Sequence, residues 1–343
     1  MAHTDALRAP VEARRPGSPA RARVALALGS GGARGYAHIG VINELRDRGY
    51  EIVGIAGSSM GALVGGLQAA GRLDDFAAWA KDLTQRAVLR LLDPSITAAG
   101  VLRAEKILDA VRDILGEASI EELPIPYTAV TTDLIAGKSV WLQRGPVDEA
   151  IRASIAIPGM IAPHVVDGRL LADGGILDPL PMAPIAAVNA DLTIAVSLSG
   201  NETEAEREAE SHPATEWLNR MVRNTTALFD GVLNRFGASV PEDEIESETG
   251  EVEQPIEPAA EAPKLGGRFE VMNRTIDIAQ AALARHTLAA YPPDLLIEVP
   301  RSACRSLEFH RAAEVIDFGR ALASRTLDTL EGEPSDLPTP KAD

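Results

Sequence analysis

Residues 57–61 read Gly57-Ser58-Ser59-Met60-Gly61, a serine with a glycine two positions to either side. That spacing suits a nucleophile held on a turn between a strand end and a helix start, where bulkier neighbours would clash. The helix N-terminus then lies behind the serine and favours the negative charge that develops during attack. Ser59 is the candidate nucleophile. Ser58 is chemically equivalent but lies one position off the register. The pentapeptide gains weight from its surroundings: an apolar run over 51–56 before it, and a run of small, helix-compatible residues to about Ala70 after it. Without a base, the same serine would be a helix N-cap.

A serine hydroxyl needs a base to become a useful nucleophile. The chain has six histidines, His3, His38, His164, His212, His286 and His310. A Ser-Asp-His order would use a late histidine such as His286 or His310, and both fall within predicted helices rather than on the loop such a triad uses. His38 sits one turn into the first predicted helix, as a packing or polar-network residue would. Asp173 is the better base. It ends a short apolar run over 169–172 and precedes Gly174-Gly175, so its carboxylate lies on a tight turn. Burial beside a serine, away from other charge, raises a carboxyl pKa enough to assist proton transfer. Taken alone, the segment would be an ordinary Asp-Gly turn.

The third element is the run Gly29-Ser30-Gly31-Gly32-Ala33-Arg34-Gly35. A dinucleotide cradle requires G-x-G-x-x-G and an acidic residue closing the next strand. Here Arg34 replaces the third glycine, and the next strand closes in Ala56-Gly57-Ser58. An oxyanion hole fits better. The backbone N–H groups of Gly31, Gly32 and Ala33 are uncovered, and Arg34 adds positive charge nearby. A plain strand-to-helix turn is the remaining possibility.

These three elements must be positioned by a scaffold, and the hydrophobic pattern describes one. Strands are predicted over 24–28, 51–56, 127–132, 139–142, 169–172, 192–198 and 295–299. Helices are predicted over 37–48, 60–70, 73–92, 104–115, 147–154, 269–290 and 309–330. The strand–loop–helix–strand–turn–helix opening is an α/β layout with a parallel sheet. The expected organisation is a disordered basic tail over 1–23 and a catalytic core over 24–200. An acidic, largely disordered insertion follows over 201–265, with an amphipathic helix at 217–236. A helix–strand–helix unit over 266–331 completes the domain, and a polar tail covers 332–343.

Composition narrows the function classes. Hydrophobic residues make up 45% of the 343, enough for a substantial core, and aromatics only 4%, so aliphatic side chains must fill it. A formal net charge of −17, most of it in the insertion, argues against a sequence-independent nucleic-acid binder. The single cysteine, Cys304, excludes an internal disulfide and fits a reducing compartment as a structural thiol. No apolar run approaches the ~20 residues of a membrane-spanning helix, and residues 1–23 lack the apolar core of a secretory signal. The expectation is a cytoplasmic protein, peripheral to membranes where its substrate is there. No cluster of residues suggests a metal site.

Gly31-Gly32-Ala33-Arg34-Gly35, the 57–61 turn, the block from Arg152-Ala153-Ser154 to Pro158-Gly159, and Asp173-Gly174-Gly175 resemble the patatin-like phospholipase family in order and spacing. The similarity runs from about Val24 to Ser199. The stretch Leu307-Glu308-Phe309-His310-Arg311-Ala312 resembles the bacterial RssA-type subgroup. The resemblance implies a three-layer α/β/α fold with a mostly parallel central sheet and a Ser59–Asp173 dyad without histidine. It also implies no cofactor or metal, and hydrolysis of acyl esters of lipids, phospholipids or lysophospholipids among them. Ser30 stands where many members have glycine. Arg152 and Ser154 match a block that lines the fold near the site and are read as structural. Two rivals remain: a non-catalytic regulatory or interaction protein on the same scaffold, and a Ser-His-Asp esterase of α/β-hydrolase type.

Because the stretch over 241–263 is too polar to bury a core, its deletion is expected to leave the folded domain and p-nitrophenyl ester turnover near wild type. Loss of soluble protein on expression would contradict that reading. A defect confined to lipid vesicles would assign the segment to substrate access.

Overall fold

The computed structural model describes residues 22–91, 105–158, 160–200 and 268–332. In chain order these form β1 (Arg23–Leu28), α1 (Ala37–Asp47), β2 (Glu51–Ser58), α2 (Met60–Ala69), α3 (Leu73–Lys81), α4 (Gln85–Leu91) and α5 (Glu105–Leu115). They continue with β3 (Tyr127–Asp133), β4 (Lys138–Leu142), α6 (Val147–Ser154), β5 (His164–Val166), β6 (Arg169–Asp173) and β7 (Leu192–Gly200). The last elements are α7 (Arg268–Ala290), β8 (Leu295–Pro300) and α8 (Ala312–Gly332). The expected tail over 1–23, all but its end, the insertion with its helix at 217–236 and the tail over 332–343, all but its first residue, lie outside the described residues.

The eight strands make one sheet in the order β5-β6-β3-β2-β1-β7-β8, with β4 also paired to β3. The ladders β3–β2–β1–β7–β8 are all parallel, and β4, β5 and β6 pair antiparallel at one side. Successive side chains of a strand face opposite sides. Accordingly Val24, Leu26 and Leu28 of β1 enter the large core under α1, α2 and α8. Ala25 and Ala27 face the other way, where Ala56, Ala195, Leu180, Met182, Ile185 and Ala284 of α7 form a thinner layer. The expected three-layer α/β/α architecture with a mostly parallel sheet is therefore present.

One ladder sets up the site. β4 runs along one edge of β3 over residues 129–133, so β2 and β6 must share the other edge. β2 takes its first half, ending with Ser58 opposite Val130, and β6 takes the second, with Asp173 opposite Thr131. The ends of β2 and β6 thus meet at adjacent register positions on one strand. The Tyr127 hydroxyl, donating to the Ala62 carbonyl at 2.7 Å, ties β3 to the helix that follows β2.

Three expectations need correction. The helix predicted over 73–92 is two helices, because the Thr84 hydroxyl accepts from the Ala87 N–H at 3.2 Å and starts α4 afresh. The helix predicted from 309 opens as a 3-10 turn over Phe309–Arg311, so His310 lies in a turn, and α8 begins at Ala312. The short strand β5 was not expected. It is only three residues long and exists through its pairing with β6.

Helices α1 and α8 close one outer face, and two glycines set their separation. A Cβ on Gly40 would lie 2.0 Å from the Ile316 carbonyl oxygen, and one on Gly319 would lie 2.3 Å from that of Ala37. The Arg48 guanidinium, bonded to Glu44 of α1, adds bonds to Ser324, Asp328 and Glu331 of α8 across the same pair. In an open helix Gly→Ala stabilises by roughly 0.5–1 kcal/mol. Here the obstacle is backbone, and overpacking typically costs about 1–3 kcal/mol or more. Gly40→Ala is therefore expected to lower the urea midpoint, and a raised midpoint would show that the two helices can move apart freely.

Candidate active site

Ser59 follows β2 directly and is the residue that turns the chain into α2. Its backbone has φ 55° and ψ −123°, a left-handed conformation that costs a non-glycine residue on the order of 1–3 kcal/mol. The flanking glycines make the turn feasible. A Cβ on Gly57 would stand 2.2 Å from the Gly61 carbonyl oxygen, and one on Gly61 would stand 2.1 Å from that of Leu28. The Ser59 carbonyl accepts from the N–H groups of Ala62 and Leu63, which starts the helix. The Ser59 N–H donates to Ser154 Oγ at 3.0 Å, and Ser154 Oγ donates to the Val130 carbonyl at 2.6 Å. Ser154 thus pins the Ser59 backbone to β3, a more specific duty than the lining role expected of it. Arg152, its companion in that block, is partly buried, and its Nε has no hydrogen-bond partner among the described residues.

The Ser59 hydroxyl donates to Asp173 Oδ2 at 2.6 Å, while Asp173 Oδ1 accepts from the Gly175 N–H at 2.7 Å. The Asp173 N–H donates to the Ala156 carbonyl at 3.0 Å, which fixes the end of β6. The residue is 3% exposed. Desolvation pushes its carboxyl up from an ordinary 3.8 to about 6, against the opposing pull of the bonds from Ser59 and Gly175. Gly174 is required beside it, because a Cβ there would lie 2.1 Å from the Val130 carbonyl oxygen. The candidate nucleophile and candidate base, read separately from the sequence, are in direct contact.

Among the described residues no histidine bonds to either of them. His38 is fully buried and its Nε2 donates to the Gly29 carbonyl at 2.8 Å, with its pKa lowered to about 4 by desolvation. His164 pairs with Glu149 of α6. His286 is exposed on α7 and His310 lies in the turn before α8.

The glycine run lies across the start of α2. A Cβ on Gly35 would stand 2.1 Å from Met60 Cγ, so the turn rests on the residue after Ser59. Gly32 has φ 58° and approaches the Ser306 carbonyl, where a Cβ would come within 2.5 Å. The Ala33 N–H donates to that carbonyl at 2.9 Å. It is therefore committed, and the loop offers the N–H groups of Gly31 and Gly32, which have no partner among the described residues. Arg34 is also differently employed: its side chain is buried and Nη2 donates to Asp277 Oδ1 on α7 at 3.2 Å. Ser30 Oγ donates to Gln280 Oε1 of α7 at 3.2 Å. Sequence reading missed these α7 partners, which lie more than 240 residues away and carry no local signal. No group of three or more potential metal ligands occurs among the described residues, and no helix there is long and apolar enough to cross a membrane.

The patatin-like phospholipase family model matches residues 26–186, a span that holds the glycine run, Ser59 and Asp173. An NTE family protein of Mycobacterium tuberculosis is 69% identical over 333 residues, covering 90% of this chain and 92% of the relative. The neuropathy target esterase sws of Drosophila melanogaster is 31% identical over 186 residues, 52% of this chain and 13% of that protein. Among solved structures, VipD from Legionella pneumophila aligns with a TM-score of 0.43 and 15% identity over 91% of this chain and 67% of that one. The NTE relatives speak for the family and do not single out the RssA-type subgroup. Near-full-length identity to an NTE family protein places the chain in that family, and its residues 26–186 match the patatin-like phospholipase model, so the chain belongs to a family of lipid hydrolases.

Proposed function

We propose that the chain is a serine esterase that cleaves acyl ester bonds of lipids, phospholipids or lysophospholipids, through a Ser59–Asp173 dyad and an acyl-enzyme. The observation that carries this reading is the 2.6 Å bond between Ser59 Oγ and Asp173 Oδ2 in a buried setting. Asp173 accepts the hydroxyl proton as Ser59 Oγ attacks the ester carbonyl carbon. The resulting oxyanion is stabilised by the N–H groups of Gly31 and Gly32, with the unpaired N–H groups at the start of α2 contributing positive potential. Collapse breaks the bond to the alcohol, which leaves with the proton from Asp173. Water then attacks the acyl-enzyme with Asp173 again as base, and the fatty acid departs. No cofactor enters the scheme. Arg34 acts at a distance, as a charge that holds the loop against α7. The Ser-His-Asp alternative would need a histidine at Ser59, and the non-catalytic alternative leaves the strained, desolvated dyad without a use.

The dyad makes a sharp contrast between variants. Asp173→Asn keeps the shape but removes the base, so kcat on a p-nitrophenyl ester should fall by about 10²–10⁴ or more, and Ser59→Ala should abolish turnover. His286→Ala and His310→Ala should each stay within about tenfold of wild type, since neither reaches Ser59. Collapse at His310 with a mild effect at Asp173 would reinstate the triad.

The raised carboxyl has two consequences with opposite signs. As a base Asp173 must be ionised, so kcat/KM should fall as pH drops through about 6, well above the ordinary carboxylate range. For stability, the folded pKa exceeds the unfolded value of 3.8, so ionised Asp173 opposes folding above pH 6 by up to about 3 kcal/mol. That penalty shrinks as pH falls from 6 toward 3.8. Asp173→Asn should accordingly be more stable than wild type at pH 7.5, and the gap should narrow by pH 4.5. An acid limb near pH 4, or an asparagine variant less stable at both pH values, would contradict the desolvation argument.

A further inference from the structure

We infer that His38 is a positioning residue for the oxyanion hole: its imidazole closes the glycine run over residues 29–35 and sets where the N–H groups of Gly31 and Gly32 point. The inference rests on the hydrolase reading above and assigns it a residue outside both the dyad and the loop.

The run leaves the end of β1 and passes through a 3-10 turn into α1, where His38 is the second residue. Its two ends are anchored by main-chain bonds. The Gly29 N–H donates to the Val196 carbonyl at 3.0 Å, and the Ser30 N–H to the Pro179 carbonyl at 2.8 Å. Beyond them the Ala33 N–H donates to Ser306 at 2.9 Å. Gly31 and Gly32 lie between these anchors, so their N–H directions follow from the peptide planes on either side. The plane that joins Gly29 to Ser30 is held twice. Pro179 takes its N–H, and its carbonyl oxygen accepts from His38 Nε2 at 2.8 Å, from nine positions further along the chain. The same ring reaches the far end of the run, since a Cβ on Gly35 would stand 3.7 Å from His38 Cδ2. One side chain thus spans the loop from its first glycine to its last.

The plane that His38 holds also touches the helix that Ser59 begins. A Cβ on Gly61 would lie 2.8 Å from the Gly29 carbonyl oxygen. A displaced Gly29 would therefore change the separation between the loop and Ser59. His38 itself bonds to neither Ser59 nor Asp173, so proton transfer is not its task.

Stability alone gives little reason for an imidazole here. The ring is fully buried, and its Nδ1 has no hydrogen-bond partner among the described residues. Leaving one buried polar atom unpaired costs about as much as satisfying one carbonyl returns. Burial also lowers the pKa to about 4, so the ring is neutral at pH 7 and carries its proton on Nε2, where Gly29 needs a donor. What the imidazole adds is a rigid donor at a fixed reach from α1.

Three variants test this. His38→Gln keeps an amide donor at the reach of Nε2, His38→Asn ends one bond short of it, and His38→Leu removes it. Each is measured on a p-nitrophenyl ester and on the thionoester of the same acyl chain, beside a urea midpoint. Sulfur accepts hydrogen bonds weakly, so the thionoester gains little from the loop N–H groups. In His38→Leu and His38→Asn, kcat on the ester should fall by about 10–100-fold, as for a displaced oxyanion donor, with KM nearly unchanged. The ratio of ester to thionoester kcat/KM should fall about tenfold or more in both, and His38→Gln should restore it to within about threefold of wild type. Should His38→Leu fail to fold, the contrast between glutamine and asparagine decides. Asp173→Asn is the control: it should slow both esters alike and leave the ratio in place. An active wild type whose ratio is unchanged in His38→Asn, or a glutamine variant as impaired as the asparagine one, would overturn the inference and leave the dyad standing. A wild type that turns over neither ester would overturn the hydrolase reading and the inference with it.

Discussion

The bond between the Ser59 hydroxyl and the Asp173 carboxylate requires two strand ends, 114 positions apart in the chain, to meet at hydrogen-bonding distance. β3 makes that possible by dividing one edge between β2 and β6, so that Ser58 and Asp173 oppose consecutive residues, Val130 and Thr131. Much of the surrounding structure keeps this junction closed. The Val130 carbonyl accepts from Ser154 and leaves no room for a side chain at Gly174. β4 occupies the opposite edge of β3 and prevents the register from sliding, since a one-residue slip would turn every side chain to the other face.

The junction is energetically unfavourable by itself. Ser59 is held in a left-handed conformation and Asp173 is desolvated, each opposing folding by a few kcal/mol. The offset comes from elsewhere: a continuous apolar core on one face of the sheet, and a helix pair, α1 with α8, brought close by Gly40 and Gly319. Strain concentrated at two residues and compensated by remote packing is the arrangement expected of a site selected for reactivity rather than for stability. It also separates two kinds of glycine in this chain. Gly57, Gly61 and Gly174 make room for the Ser59–Asp173 contact, whereas Gly40 and Gly319 shape the support.

What could be read from the sequence was what is local. The glycine spacing around Ser59, the Asp173-Gly174-Gly175 turn, the parallel strands β1 and β2 and the hairpin of β3 and β4 all leave signals within ten or so residues. The patterns failed where the deciding partner is distant. Ser154 reads as lining from its local block, but its hydroxyl meets the Ser59 N–H 95 positions away. Ala33 looked free until Ser306 supplied its acceptor, and Arg34 looked available for catalysis until Asp277 of α7 claimed it. Helical periodicity ran straight through residues 82–84 because a restarted helix can keep nearly the same apolar phase while a threonine caps its first turn. β5 left no trace because its three residues are a strand only by virtue of β6.

The reactivity of Ser59 can be examined independently of any choice of lipid. Incubation of the full chain with a fluorophosphonate, followed by intact-mass and peptide mass spectrometry, reports where a covalent adduct forms. A single adduct on Ser59, formed rapidly by the wild type and slowed by at least about a hundredfold in Asp173→Asn, is the outcome expected of a carboxylate-activated serine. An adduct on Ser58 or elsewhere, or labelling of Ser59 that is indifferent to Asp173, would contradict it.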